Sequence, residues 1–419
     1  MDVIVKKSEI VGVVSPPPSK SYTHRAFLAA SISPKCKIYN PLIAEDTLAT
    51  LNVCKLLGSR YIRQNFFEFW GYDLRKSKAN YFYLANSGTT LRFLIGLISQ
   101  IYDRKYSVLD GDSSLRNRPN KELVVALKSL GAEIKGSNDF KPPLFVKGVA
   151  KGGEVRIKAT SSQFISSLLF SLPNAIGDSI VIVEGMKSKP YVDVTLHVLK
   201  EAKVKIDVEN ENYYIQGEQD FKLRKFDVPS DFSSASYLIA AGLLAGKLKI
   251  RNMFDSMQGD KQIVEIANQM GGKIKWDKKD GAIVVEKSEL EGVEIDASNI
   301  PDLVPTISVL ASIAKGKTII YNAEHLRFKE IDRIEGIYHN LKSVGIDVKK
   351  TEDGVIIKGG KIKGGVVNSF GDHRMALAFS LLGLVAENDV IVKNAEVVSV
   401  SFPNYFEIIE KIGGNIEKL

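Results

Sequence analysis

The residues with the most chemical capacity fall in short polar runs, each set just before an apolar stretch. Pro18-Ser19-Lys20-Ser21-Tyr22-Thr23-His24-Arg25 precedes the apolar run Ala26 to Ile32 and puts Ser21 and Arg25 four residues apart, on one face of a helix. Hydroxyls, two cations and the N–H groups of a helix start converge there on an anion. Leu84-Ala85-Asn86-Ser87-Gly88-Thr89-Thr90-Leu91-Arg92 repeats the arrangement, with Gly88 permitting close backbone approach before a helix. Arg116-Asn117-Arg118-Pro119 sets an arginine ahead of a helix that opens on proline. Thr160-Ser161-Ser162-Gln163 opens the apolar helix Phe164 to Leu172, and Ser188-Lys189-Pro190-Tyr191 opens the next. Singly, each reads as an ordinary helix cap. Five in phase read as one anion site.

Carboxylates join the cations in the second half, in Ile300-Pro301-Asp302, Arg327-Phe328-Lys329-Glu330-Ile331-Asp332-Arg333 and Gly371-Asp372-His373-Arg374-Met375. Taken alone, Asp332 and Arg333 are a helical ion pair, and Asp372 caps a helix or holds His373. Together the three runs suit a site that binds a doubly charged anion and moves protons with carboxylates. Other chemistries lack their signatures. There is no G-x-G-x-x-G, H-E-x-x-H or G-x-S-x-G, and Gly316-Lys317-Thr318 fails as a phosphate loop because Ala311 stands where its first glycine is required. Cys36 and Cys54 have neither C-x-x-C spacing nor a partnering histidine pattern, so they read as buried apolar residues rather than as a disulfide or zinc site. No metal site is expected.

The elements that position these runs recur. An apolar helical stretch, a small residue and an alternating strand follow one another at Gly58, Gly131, Ala202, Gly271, Gly345 and Gly413, in steps of about 70 residues. In phase with them, strands end in small turns at Asn40, Gly111, Gly185, Asn252, Asn322 and Asn394. Each copy reads strand, helix, strand, helix, strand, strand. The period-2 strands of mixed polarity put one face on a helical core and one on water. A unit this small buries little alone, so the expected fold is α/β, with six units clustered as two domains of three, helices inside and sheets outside. Proline-rich Pro16-Pro17-Pro18-Ser19 and Phe226-Asp227-Val228-Pro229-Ser230 mark the seams. The expected domains are residues 1–19 with 229–419, and residues 20–228, with the active site in the cleft between them.

Composition narrows the class further. At 419 residues, 44% hydrophobic and 25% charged, the chain suits a globular protein with sizeable cores. Its longest apolar stretches, Tyr237 to Ala245 and Ala376 to Ala386, fall short of the roughly 20 residues that span a bilayer. The opening Met-Asp-Val-Ile-Val-Lys-Lys reads as a strand and not as a secretory leader, so a cytoplasmic location is expected. The net charge of +8 fits anionic substrates as well as nucleic acid, but the lysines are scattered, without a basic tail or an aromatic-basic stripe.

The runs Asn86-Ser87-Gly88-Thr89, Arg118-Pro119, Ser161-Ser162-Gln163, Lys329-Glu330-x-Asp332-Arg333 and Asp372-His373-Arg374-Met375 occur in an order that resembles the 5-enolpyruvylshikimate-3-phosphate synthase family. The likeness extends from Pro18-Ser19-Lys20-Ser21 to Ser401-Phe402-Pro403-Asn404-Tyr405-Phe406. It implies two domains of three βαβαββ units in an inside-out α/β barrel arrangement, and transfer of the enolpyruvyl group of phosphoenolpyruvate (PEP) to the 5-hydroxyl of shikimate 3-phosphate through a tetrahedral intermediate that expels phosphate. By the same resemblance no cofactor is needed, and the chain works as a monomer without nucleic acid or membrane. Lys20, Ser21, Arg25, Ser161, Ser162, Gln163, Ser188, Tyr191, Asp302, His325 and Lys329 are implied to bind shikimate 3-phosphate. Lys20, Asn86, Gly88, Arg118, Gln163, Arg333, His373 and Arg374 are implied to hold PEP. Asp302 then deprotonates the 5-hydroxyl, Glu330 shuttles a proton at the PEP methylene carbon, and Lys20 contacts both substrates.

Three positions depart from the family pattern: Val400 where a lysine is frequent, His325 where an asparagine is common, and Phe93 where many members have proline. Two other readings compete. Enolpyruvyl transfer to UDP-N-acetylglucosamine shares the fold and the PEP chemistry, but calls for a loop cysteine that neither Cys36 nor Cys54, both in the first repeat, supplies. A basic RNA-binding protein would show no turnover and affinity falling steeply with salt.

Overall fold

The computed structural model describes residues 1–101 and 105–419. Among them, strands form six four-stranded sheets, and the helices fall into one buried and one half-exposed member per repeat. The chain divides into two units, Met1–Pro17 with Pro229–Leu419, and Pro18–Val228.

Each sheet follows one plan. Glu294–Asp296 runs parallel to Lys317–Tyr321, which pairs antiparallel with Val355–Lys358, itself antiparallel to Asp347–Lys350. A parallel neighbour requires a crossover, and a helix supplies it. Where the repeat pattern runs over the chain's first residues, strands come from far away. Val3–Lys6 lies between Val390–Lys393 and Asn415–Lys418, and Ile10–Val14 pairs in parallel with Gly246–Ile250. These ladders tie the first 17 residues to the unit that holds the C-terminal half. In the other unit, Lys225–Asp227 completes the sheet begun by Cys36–Tyr39.

In the unit Pro18–Val228 the helices are α1 (Lys20–Ile32), α2 (Glu45–Leu56), α3 (Gly88–Ile98), α4 (Lys121–Ser129), α5 (Ser162–Ser171) and α6 (Lys189–Glu201). The other unit has α7 (Phe232–Ala245), α8 (Ile263–Gln269), α9 (Val304–Ala311), α10 (Arg333–Ser343), α11 (His373–Ser380) and α12 (Tyr405–Lys411). Every residue of α7, α9 and α11 is buried, and so are nearly all of α1, α3 and α5. Beyond the polar groups of their first turns their sequences are mostly apolar or small all round, as a central helix requires. The intervening helices keep a polar face, and the strands alternate: Glu154–Lys158 buries Val155 and Ile157 and exposes Glu154, Arg156 and Lys158. Helices therefore fill the middle of each unit and sheets its outside. Among the described residues no helix is long and apolar enough to cross a membrane.

The repeat markers have a backbone cause. Asn40, Asn252, Asn322 and Asn394, at the strand-end turns, take left-handed φ of 50°, 64°, 56° and 53°, a conformation asparagine tolerates better than most residues. In the third repeat the left-handed residue after the helix is Lys203, at φ 65°, one position after Ala202. One local expectation is corrected. The helix after Arg118 opens at Lys121, because Asn120 takes the cap position and its side chain donates to the Arg118 and Phe140 carbonyls, leaving Pro119 outside. Cys36 and Cys54 are free and buried, and burial pushes both thiols up to about 12.

Candidate active site

In the unit Pro18–Val228 the starts of the three buried helices meet. Each is capped by a serine: Ser19 for α1, Ser87 for α3 and Ser161 for α5, accepting from the backbone N–H of Tyr22, Thr90 and Gln163. Neutral caps leave the positive ends of the helix dipoles uncancelled by charge. Lys20, at the first position of α1, pairs with Asp46 Oδ2 at 2.9 Å, and Ser87 donates to Asp46 Oδ1. Asp46 lies in the first turn of α2. Burial raises its proton affinity, but the charge of Lys20, with the Ser87 hydrogen bond, outweighs that and holds the carboxyl well below its usual range.

Around the start of α3, Arg118 donates to Asn86 Oδ1, and Gly88 makes room for it: a Cβ on Gly88 would stand 2.5 Å from Arg118 Nη1. Arg92 donates to Gln163 Oε1 and to Asn120, while Gln163 Nε2 donates to Thr89 at 2.9 Å. Gln163 thus links the starts of α3 and α5. Ser162 begins α5 and is buried. Arg25 is 2% exposed and ties α1 to α5 and α6, donating to the Ser21 and Tyr191 carbonyls at 2.8 and 3.0 Å, Thr195 Oγ1 at 2.7 Å and Ser166 Oγ at 3.4 Å. Its guanidinium lies 5.2 Å from the Phe93 ring centroid, and burial brings its pKa down to about 10. Phe93, one of the departures noted above, is therefore the apolar floor beneath Arg25. Ser188, which precedes α6, takes a left-handed φ of 56°, a strained state for serine.

The unit Met1–Pro17 with Pro229–Leu419 assembles the carboxylates. Arg333, 1% exposed, donates to Asp372 Oδ2 at 2.7 Å, Asp302 Oδ1 at 2.8 Å and Glu330 Oε2 at 2.8 Å. Arg374 donates to Asp302 Oδ2 at 2.6 Å and to the Tyr237 hydroxyl at 3.3 Å. Asp302 therefore bridges two guanidiniums with its two oxygens. Burial raises its proton affinity, yet the charges of Arg374, Arg333 and Lys329 hold it well below the usual carboxylate range. Asp372 caps α11 through the Arg374 N–H, and Asp332 caps α10 and pairs with Arg327. His373 is buried beside Asp372, its Nδ1 3.9 Å from Asp372 Oδ1. His325 is buried in the turn Glu324–Phe328, Lys329 follows that turn, and Val400 ends the turn Ala395–Val400.

Three participants went unread in the sequence. Asp46 and Asp260 gave no signal beyond an acid near a helix start, and Arg92, though inside a quoted run, had no assigned role. Asp260 accepts from Ser233 and is 3% exposed; burial and the nearby Asp302 charge raise its pKa to about 7.

A family model described as EPSP synthase (3-phosphoshikimate 1-carboxyvinyltransferase) matches residues 4–409. The chain is 61% identical to the 3-phosphoshikimate 1-carboxyvinyltransferase of Archaeoglobus fulgidus over the full length of both, and 43% identical to that of Methanocaldococcus jannaschii over 99% of each. Among solved structures it resembles EPSP synthase from Acinetobacter baumannii, with a TM-score of 0.84 and 27% identity over all of both chains. The enolpyruvyl transferase NikO from Streptomyces tendae, at 15% identity and a TM-score of 0.80 over 99% and 98% of the two chains, shares the fold. On matches of this extent the chain belongs to the EPSP synthase (3-phosphoshikimate 1-carboxyvinyltransferase) family.

Proposed function

We propose that this chain transfers the enolpyruvyl group of PEP to the 5-hydroxyl of shikimate 3-phosphate and releases phosphate. The observation that carries this reading is the presence, in one chain of this family, of a cation- and hydroxyl-rich set of helix starts and a carboxylate–arginine cluster built on Asp302 and Arg333. Both substrates are anions that guanidinium forks and helix N-termini suit.

Lys20, Ser21, Arg25, Ser161, Ser162, Gln163, Ser188, Tyr191, Asp302, His325 and Lys329 serve shikimate 3-phosphate, and Lys20, Asn86, Gly88, Arg118, Gln163, Arg333, His373 and Arg374 serve PEP. The reaction needs both sets on one substrate pair, so residues 1–19 with 229–419 supply the acid–base groups and 20–228 most of the shikimate 3-phosphate contacts. Arg25 spends four of its five donors within the protein, which supports a role in shaping the Ser21 and Tyr191 backbone as much as in direct contact.

Asp302 takes the 5-hydroxyl proton as that oxygen bonds to C2 of PEP, and Glu330 delivers a proton to C3. Glu330 then removes a proton from C3 as the C2–O bond to phosphate breaks, and the proton that Asp302 took leaves with the phosphate. A carboxylate held by two guanidiniums is a weak base. When the PEP anion draws Arg333 and Arg374 toward itself, Asp302 loses part of that restraint and gains basicity in the complex where it is needed. The chain acts as a cytoplasmic monomer, without nucleic acid or membrane partners, which sedimentation and fractionation test.

The deciding experiment is phosphate release from PEP with shikimate 3-phosphate, with UDP-N-acetylglucosamine and with no acceptor. Release with shikimate 3-phosphate alone is expected; silence with it from folded protein overturns the reading.

A further inference from the structure

Behind Lys20 lies a circuit of buried polar groups drawn from three helices, four of its five links hydrogen bonds. Ser87 Oγ bonds Asp46 Oδ1; Thr90 Oγ1 lies 2.5 Å from Ser87 Oγ; Thr50 Oγ1 lies 2.6 Å from Thr90 Oγ1; His24 Nδ1 lies 2.6 Å from Thr50 Oγ1. His24 Nε2 closes the loop, 3.5 Å from Asp46 Oδ1, and makes no hydrogen bond there. His24, Thr50, Ser87 and Thr90 are each at most 1% exposed.

Each hydroxyl has one proton to give, so the circuit can be solved. The Asp46 carboxylate only accepts, so Ser87 spends its proton on it. Thr90 must then donate to Ser87, Thr50 to Thr90, and His24 Nδ1 to Thr50. The histidine proton is on Nδ1, and Nε2 points a lone pair toward Asp46. The charged groups facing the imidazole are Asp46 from α2 and Lys20 and Arg25 from its own helix; burial holds its pKa below the ordinary value, against the pull of Asp46, so the ring is neutral at neutral pH.

We propose that His24 is a positioning residue for Lys20: locked as the Nδ1–H tautomer, it closes the circuit that holds the Asp46 carboxylate against Lys20 and ties both to the start of α3. Protonation at Nε2 gives Asp46 a second cation to neutralise and loosens its hold on Lys20. The inference deepens the reading above, since it rests on Lys20 contacting the substrates.

The test uses the full chain with 15N-labelled histidine, the His24 resonances being assigned from their loss in His24→Gln. At pH 7.5 the expected pattern is a protonated Nδ1 and a bare Nε2. Thr50→Val removes the acceptor for Nδ1–H, so the proton should move to Nε2 and donate to Asp46. That variant should lose about fivefold in kcat/KM, roughly the worth of one hydrogen bond, and shift the acid limb of the pH profile, while Thr50→Ser restores both. Should Thr50→Val not fold, Thr90→Val breaks the same circuit one bond away. A wild-type proton on Nε2 overturns the proposal. So does a switched tautomer with kcat, KM and pH profile unchanged. A wild type that turns over neither acceptor removes the substrate role of Lys20, and the positioning role with it, whereas the tautomer pattern would stand.

Discussion

The two units solve the same architectural problem with opposite electrostatics. Both bring the starts of three buried helices together, but α1, α3 and α5 are capped by Ser19, Ser87 and Ser161, whereas α7 and α11 are capped by Asp231 and Asp372, and Asp302 lies just ahead of α9. Hydroxyl caps satisfy backbone N–H groups without cancelling the helix dipole, so that end still attracts an anion. Carboxylate caps cancel it and then need cations of their own. Arg25, set among neutral acceptors, and Arg333, held by three carboxylates, show the same contrast at the level of one side chain. One unit is thereby suited to hold charge and the other to move protons.

The largest effect should come from Asp302→Ala, which removes the proposed base and the bridge between two guanidiniums. Turnover is expected to fall by about 10² to 10⁴, the usual range for a positioned acid–base group, measured by single-turnover phosphate release. A variant within tenfold of wild type would break the division of labour between the units.

Next comes stability. Arg333→Met takes one cation from Asp302 and Glu330 and the guanidinium bonded to fully buried Asp372, and should cost roughly 3–5 kcal/mol, as breaking a buried ion pair does. Arg25→Met leaves only neutral acceptors, of which Thr195 and Ser166 already bond one another, and should cost less, about 1–3 kcal/mol. Urea denaturation of both variants checks the order, and a reversal would refute the electrostatic contrast.

The two units should also differ in the pH dependence of stability. Asp260 has a folded pKa raised to about 7, so its favourable contribution is present below the ordinary carboxylate pKa and is lost as pH rises toward 7. Asp260→Asn should flatten the decline in unfolding free energy over that range by roughly 1–3 kcal/mol. Asp46 has the opposite sign: its contribution is present above the ordinary carboxylate pKa and is lost as pH falls through its depressed folded value. Asp46→Asn should remove part of the acid sensitivity, Asp302 keeping its own share, and leave the neutral-pH slope alone.

The smallest stability effect is expected from Gly88→Ala. The added Cβ meets the flexible end of Arg118 rather than backbone, so the fold should change by no more than about 1 kcal/mol. The displaced guanidinium should raise the KM for PEP several-fold while leaving that for shikimate 3-phosphate near its wild-type value, which steady-state kinetics would show.

Helix starts were legible because their chemistry is local. Proline, serine and glycine before an apolar run mark a cap wherever they occur, and Lys20, Asn86, Gly88 and Gln163 stand within a residue or two of such caps. The error at Arg118 has the same origin in reverse: Pro119 satisfies the composition rule for a first helical residue, but Asn120 competes with a side chain that bonds the Arg118 and Phe140 carbonyls. Asp46 was illegible because Glu45-Asp46 is an ordinary acidic first turn. Only the meeting of α1, α2 and α3 makes it the partner of Lys20.

The sequence by itself determined the sixfold repeat, the alternation of buried helices with two-faced strands, the runs that cap the central helices and the family they resemble, since each depends on residues near one another in the chain. The tertiary structure alone decided which group faces which: that Lys20 answers to Asp46, that Asp302 is shared by Arg333 and Arg374, and that His24 Nδ1 meets Thr50. Electrostatic energy depends on distance and burial, and chain order specifies neither.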